Sequence, residues 1–180
     1  NTSQPIGNAL VVLDVAGARY TNRTDVQGRF GFSDTAAGAG HLFVDGSLAL
    51  TLGTNAIPTN SFPSLGYAIQ IVPNAENSLP APVLLPRLHP ENEHWYDGTT
   101  NLVLTCVGIE GLKMTIRSNS MYLRDKTQVS PQHPVKVSLN QVHHDQIPMP
   151  MPDGASPPFA WTLQPGGATF ELPVEIEYPN

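Results

Sequence analysis

The closing run "ATFELPVEIEY" (168–178) alternates Phe170, Leu172, Val174 and Ile176 with Glu171, Glu175 and Glu177. A period of two puts one set of side chains on a core and the other in water, which is the signature of a strand and not of a helix. The same period recurs in "VKVSLNQV" (135–142), where Val135, Val137 and Leu139 alternate with Lys136, Ser138 and Asn140. The first half carries strand-like runs at "ALVVLDV" (9–15), "ARYTNR" (18–23), "GHLFVDGS" (40–47) and "YAIQIV" (67–72). Phe30 and Phe32 are expected to share one face of a further strand after the turn at Asp25 and Gly28. The second half adds "NLVLTCV" (101–107), "LKMTI" (112–116), "MYL" (121–123) and "FAWTLQ" (159–164). Many short strands punctuated by turn residues predict an all-β chain of two consecutive β-sandwich domains. Pro173 lacks an N–H, so the last strand is expected at a sheet edge or to bulge there.

Composition narrows the class. Charged residues make up 13% of the chain and prolines number 18 of 180. Typical soluble domains carry about 25% charge and about 5% proline. A β-rich extracellular protein with stiff loops fits these values better than a helical cytosolic enzyme. The net charge of −6 leaves no basic stripe for nucleic acid and no attraction to anionic lipid. No apolar run reaches the roughly 20 residues that span a bilayer, so no membrane insertion is expected. The chain opens at Asn1 without a Met, which reads as a mature or excised piece.

Residues 73–100, "PNAENSLPAPVLLPRLHPENEHWYDGTT", lose the alternation. They read as a proline-stiffened connector with one short strand at "PVLL". The resulting division is a first domain over 1–76, a connector over 77–100 and a second domain over 101–180.

The stretch "ALVVLDVAGARYTNRTDVQGRFGFSDTAAGAGHLFVDGS" joins a strand and hairpin to Thr-Asp-x-x-Gly-Arg-Phe, with Thr24, Asp25, Gly28 and Phe30 in place. It resembles the carboxypeptidase regulatory-like, or transthyretin-like, domain. That resemblance implies a transthyretin-like sandwich for the first half. "LPAPVLLPRL", "GLKMTI" and the closing "PMPMPDGASPPFAWTLQPGGATFELPVEIEYPN" (148–180) resemble a module that follows such domains in large bacterial surface proteins. They are also similar to the immunoglobulin-like sandwich of ankyrins and netrin receptors. These resemblances imply a secreted or cell-surface structural module, a spacer, stalk or assembly subunit, and carry no catalytic residues and no cofactor. The partners implied are neighbouring domains of a larger surface protein, or further copies joined by strand addition at a sheet edge through "NTSQPIGNALVVLDV".

Candidate chemistry is sparse. "HPENEHWYD" gathers His89, Glu91, His94 and Asp97, donor types suited to a metal, with Glu93 among them, but without the H-x-x-x-H spacing of a helix. Trp95 and Tyr96 are the first candidates for stacking on a sugar or a protein partner, with Trp161 and Tyr178 behind them. Asp14, Asp25, Asp34 and Asp45 recur at turns, where they suit either turn formation or calcium. His143 and His144 precede Asp145 and Gln146, so no Ser, Thr or Cys nucleophile follows for backbone cleavage. No G-x-S-x-G elbow or phosphate-binding loop occurs, and the reading is not an enzyme. Cys106, the single cysteine, sits in an apolar run and reads as a buried hydrophobe. Asn1 and Asn22 head N-glycosylation sequons, expected bare in a bacterial protein.

Overall fold

The computed structural model describes residues 4–51, 60–147, 157 and 159–178. The described chain is all-β, with several antiparallel sheets and two single-turn 3₁₀ helices. It divides into two compact units, one of Asn1–Arg87 with Asp145–Ser156 and one of Leu88–His144 with Pro157–Asn180.

In the first unit the strands are β1 (Ile6–Gly7), β2 (Leu10–Val15), β3 (Ala18–Arg23), β4 (Gly38–Asp45), β5 (Leu50–Thr51) and β6 (Ser64–Ile71). Four of them form a sheet in the order β3-β2-β4-β6, and β1 pairs with β5. The β2–β3 hairpin turns on Ala16 and Gly17, both at positive φ (48° and 78°), as a two-residue turn matched to strand twist requires. Val11, Leu13 and Val15 of β2 bury with Leu42 and Val44 of β4, and Ala49 and Phe62 close over them.

Two expectations for this half change. Residues 24–37 form no strand, although Phe30 and Phe32 do pack on the core. The rings meet edge-on at 6.2 Å, and Phe32 meets Tyr20 the same way at 6.5 Å. Side chains take over from a ladder here: Asn22 Nδ2 donates to Gly31 O, and Ala36 N donates to Tyr20 Oη. The run "PVLL" is likewise not a strand. Val83 and Leu85, with Leu79, lie as a loop on the first core, where Pro80, Pro82 and Pro86 deny the backbone the donors of a ladder.

The second unit contains β7 (Glu93–Tyr96), β8 (Leu102–Cys106), β9 (Ile109–Ile116), β10 (Met121–Tyr122), β11 (Val135–Val142), β12 (Ala160–Gln164), β13 (Thr169–Phe170) and β14 (Glu175–Glu177). Two three-stranded sheets run β12-β11-β7 and β14-β9-β8, and β10 pairs with β13. One apolar cluster draws on both three-stranded sheets: Tyr96, Val137 and Leu139 from one, Leu104, Cys106, Leu112, Met114 and Ile116 from the other. The closing alternation is split between two pairings. Thr169–Phe170 joins β10, Glu175–Glu177 joins β9, and Pro173 lies in the break between them. β14 ends as an edge strand. The stretch 77–100 is shared between the units, since 77–87 falls in the first and 88–100 in the second. Within it Glu93–Tyr96 is a full member of a sheet, pairing with β11 from Val135 to Ser138.

Candidate functional site

β7 presents two different faces. Tyr96 turns inward, 3% exposed, and its hydroxyl donates to Arg117 O at 2.9 Å. Burial, with the nearby Asp97 charge second, holds its phenol above the ordinary range. Trp95 turns outward and is 69% exposed. Across the ladder, Lys136 stands opposite Trp95 and places its ammonium 5.9 Å from the indole centroid. The same ammonium donates to Glu93 Oε2 at 2.7 Å, two residues before Trp95 on the same face. Glu93, Lys136 and Trp95 therefore line up on the outward face as one polar–aromatic group, with the indole largely open to solvent.

Beside this group the outward face is closed by an amide network. The sequence pattern puts Ser138 and Asn140 in water, yet Ser138 is 3% exposed and Asn140 is fully buried. The segment entering β7 lies over them. Asn140 Oδ1 accepts from His89 N at 2.9 Å and from Asn92 Nδ2 at 3.3 Å, and Asn140 Nδ2 donates to Ser138 Oγ at 2.9 Å. Asn92 Oδ1 in turn accepts from Val107 N at 3.1 Å. Among the described residues no buried side-chain nitrogen or oxygen lacks a partner. The network braces three pieces of backbone and aims no free group at a ligand.

The proposed metal donors are not brought together. His89 Nδ1 pairs with Glu91 Oε1 at 3.0 Å, and the Glu91 carboxyl is held below the usual range by its own backbone N–H and then by His89. His94 alternates with Trp95 and shares the face of Tyr96. The Asp97 carboxylate accepts from Thr99 N and Thr99 Oγ1, which lower its pKa. The strand period sends neighbouring donors to opposite faces, and among the described residues no three His, Cys, Asp or Glu side chains gather to hold a metal.

The aspartates of the first unit also work on backbone and side chains. Asp25 accepts from Gln27 N and Arg29 N and stays below the usual carboxyl range chiefly through the Arg29 N–H. Asp45 accepts from Ser47 N and Ser64 Oγ. Asp14 takes Arg19 in a two-pronged pair at 2.7 and 2.9 Å, on the rim of an open hollow that Gly17, Gly40 and His41 also line. The cross-strand row Arg19–Asp14–His41 escapes a reading of single runs, because only the register of β2 against both neighbours aligns it. Asp34 stands at positive φ (54°).

Of the remaining candidates, Trp161 packs against the second core from β12. Tyr178 is 56% exposed and stacks on Phe159 at 5.8 Å. His143 and His144 lie just past β11, and both are exposed. Cys106 is buried at 4% exposure. Ile6–Gly7 pairs with Leu50–Thr51 of the same chain, and residues 1–3, with the first sequon, lie outside the described residues. Comparison with protein families, with characterised proteins and with solved structures finds no match to this chain.

Proposed function

We propose that the chain is a non-catalytic structural module of a secreted or cell-surface protein, built of a transthyretin-like sandwich followed by an immunoglobulin-like one, and serving as spacer, stalk or assembly subunit. One observation carries this reading: the polar side chains that a catalytic site would employ are spent on backbone. Asn92, Asn140, Asp25, Asp45 and Asp97 each accept from main-chain N–H groups or hold a turn. Each unit also keeps its own apolar core, as a rigid building element needs. Low charge and stiff, proline-bearing loops support an extracellular setting. Antibody raised against the chain tests this on intact source cells. Labelling of unpermeabilised cells or of the culture medium is the expected result, and label confined to the cytosol would overturn it.

The exposure of Trp95 favours a second reading, an adhesive module that binds carbohydrate. An exposed indole beside the Lys136–Glu93 ion pair offers an apolar face for a sugar ring and polar groups nearby for the hydroxyls. A glycan array read with the wild type and with Trp95→Ala tests it: binding lost in the variant supports a saccharide site, and equal signals remove it.

A further inference from the structure

The charges around the Trp95 indole discriminate between kinds of saccharide. Lys136 is the cation beside the ring, 5.9 Å from its centroid and opposite it across the ladder. Its charge is already matched. Nζ donates to Glu93 Oε2 at 2.7 Å, and Glu93 is the less exposed partner of the two. His94, between Glu93 and Trp95, alternates onto the face of Tyr96 and brings no charge to the indole. Asp97, two residues after Trp95, is exposed, and the Thr99 N–H holds its carboxyl low, so it is ionised at neutral pH. These groups offer a ligand no uncompensated positive charge, in a chain whose net charge is −6.

The ion pair still suits hydroxyls. An ammonium has three N–H donors and a carboxylate has two oxygens. One donor and one oxygen are used in the bond between Lys136 and Glu93. The others serve neutral hydroxyls without breaking that bond. A ligand carboxylate meets a different situation. It reaches Nζ only by displacing Glu93, or by standing beside Glu93 as a second anion, and like charges brought together oppose binding. The stacking surface is small as well. Trp161 packs against the second core, so the platform is the single exposed indole of Trp95.

We infer that the Trp95 face takes neutral pyranose saccharides, and that Glu93 is the residue that excludes acidic ones, by holding Lys136 in an ion pair. This rests on the carbohydrate reading given above. A hexose lays its C–H face on the indole and sets hydroxyls toward the ion pair. The same sugar oxidised at C6 to a uronate keeps that C–H face and gains one negative charge. Stacking is then equal for the two, and charge alone separates them. Glu93 acts on this choice through Lys136. With Glu93 neutral, the ammonium is released to pair with a ligand carboxylate, and the preference weakens.

Matched hexasaccharides test it on the full chain. The probes are β-1,4-linked hexamers of glucose and mannose, and the glucuronate and mannuronate hexamers of the same linkage. Each is titrated at low ionic strength and followed by the NMR signals of the indole N–H groups, with the Trp95 signal assigned by its loss in Trp95→Ala. At least one neutral hexamer is expected to shift that signal and to bind at least about tenfold more tightly than its uronate. Glu93→Gln should narrow this ratio at least about fivefold, and added salt should reverse the narrowing by screening the released ammonium. A uronate that binds the wild type as tightly as its neutral counterpart would overturn the inference, and so would a ratio that Glu93→Gln leaves in place. In either case the carbohydrate reading stands. A Trp95 signal that none of the four hexamers shifts would remove that reading, and the inference with it.

Discussion

Replacing Asn140 by Ala tests the amide network where it is most enclosed. The side chain is fully buried and makes three hydrogen bonds, at 2.9, 3.3 and 2.9 Å. Truncation leaves the His89 N–H without its acceptor and deprives Asn92 Nδ2 of the same oxygen. An unsatisfied buried donor costs about 1–3 kcal/mol, and an ordinary lost bond about 1 kcal/mol. With the longer Asn92 contact counted as the weaker, the total is about 3 kcal/mol or slightly more. The assay follows from the positions of the indoles. The chain has two tryptophans, Trp95 and Trp161, and both belong to the second unit. Urea unfolding followed by tryptophan fluorescence therefore reports that unit alone. At a slope of about 1.5 kcal/mol per molar urea, the midpoint should fall by about 2 M. Lys136→Ala, on the same strand but with an exposed ammonium, should cost less than about 1 kcal/mol. A fall below about 0.5 M for Asn140→Ala, or one no larger than that of Lys136→Ala, would refute the view that the network braces the backbone.

Thr24 Oγ1 accepts from Ala9 N and donates to Ile6 O, clipping the entry of β2 to the segment before it. Thr24→Val should therefore destabilise the first unit by about 1–3 kcal/mol in far-UV circular dichroism melts, while Thr24→Ser stays near the wild type. The Asp97 and Asp125 carboxyls are held low in the folded chain, chiefly by the Thr99 and Thr127 N–H groups. Their contribution is complete above the unfolded value of 3.8 and is lost as pH falls through the lower folded values. Fluorescence-detected urea midpoints should decline across that acid window, less steeply in Asp97→Ala. Gly98 sits at φ 78°, and an added Cβ would meet Val129 O at 2.5 Å. Gly98→Ala should thus lower the fluorescence-detected stability by more than about 1 kcal/mol.

Continuous runs of strand-forming residues were legible from sequence. β2, β3 and β11 lie within a residue of the runs read as strands at 9–15, 18–23 and 135–142. Legibility failed where tertiary partners took over. Asn140 and Ser138 look solvated until residues 88–92 cover them, and that cover comes from about 50 residues away along the chain. Phe30 and Phe32 have a strand's spacing but satisfy their neighbours' backbone through Asn22 and Tyr20. β7 was hidden because "EHWY" mixes charge with aromatics, so hydrophobicity alone shows no period, although its two faces differ as a strand's should. The candidate metal donors were grouped by proximity in sequence, whereas alternation in β7 and the turn at Asp97 separate them. The exposed Trp95 was legible as a candidate; its neighbour Lys136, paired with Glu93, depends on the β7–β11 register and was not.

Cys106 gives the molecule a clock. Its thiol is the single one in the chain and sits in the second core at the register shift between β8 and β9. A thiol reagent reaches it only in molecules whose core has opened, so the labelling rate measures how often that happens. When reagent outpaces reclosing, the rate equals the opening rate; when reclosing is faster, it gives the equilibrium between closed and open. The first unit contributes nothing to the signal. In an oxidising medium the same burial replaces a disulfide as protection, and covalent dimers would accumulate first among copies whose second unit has been destabilised.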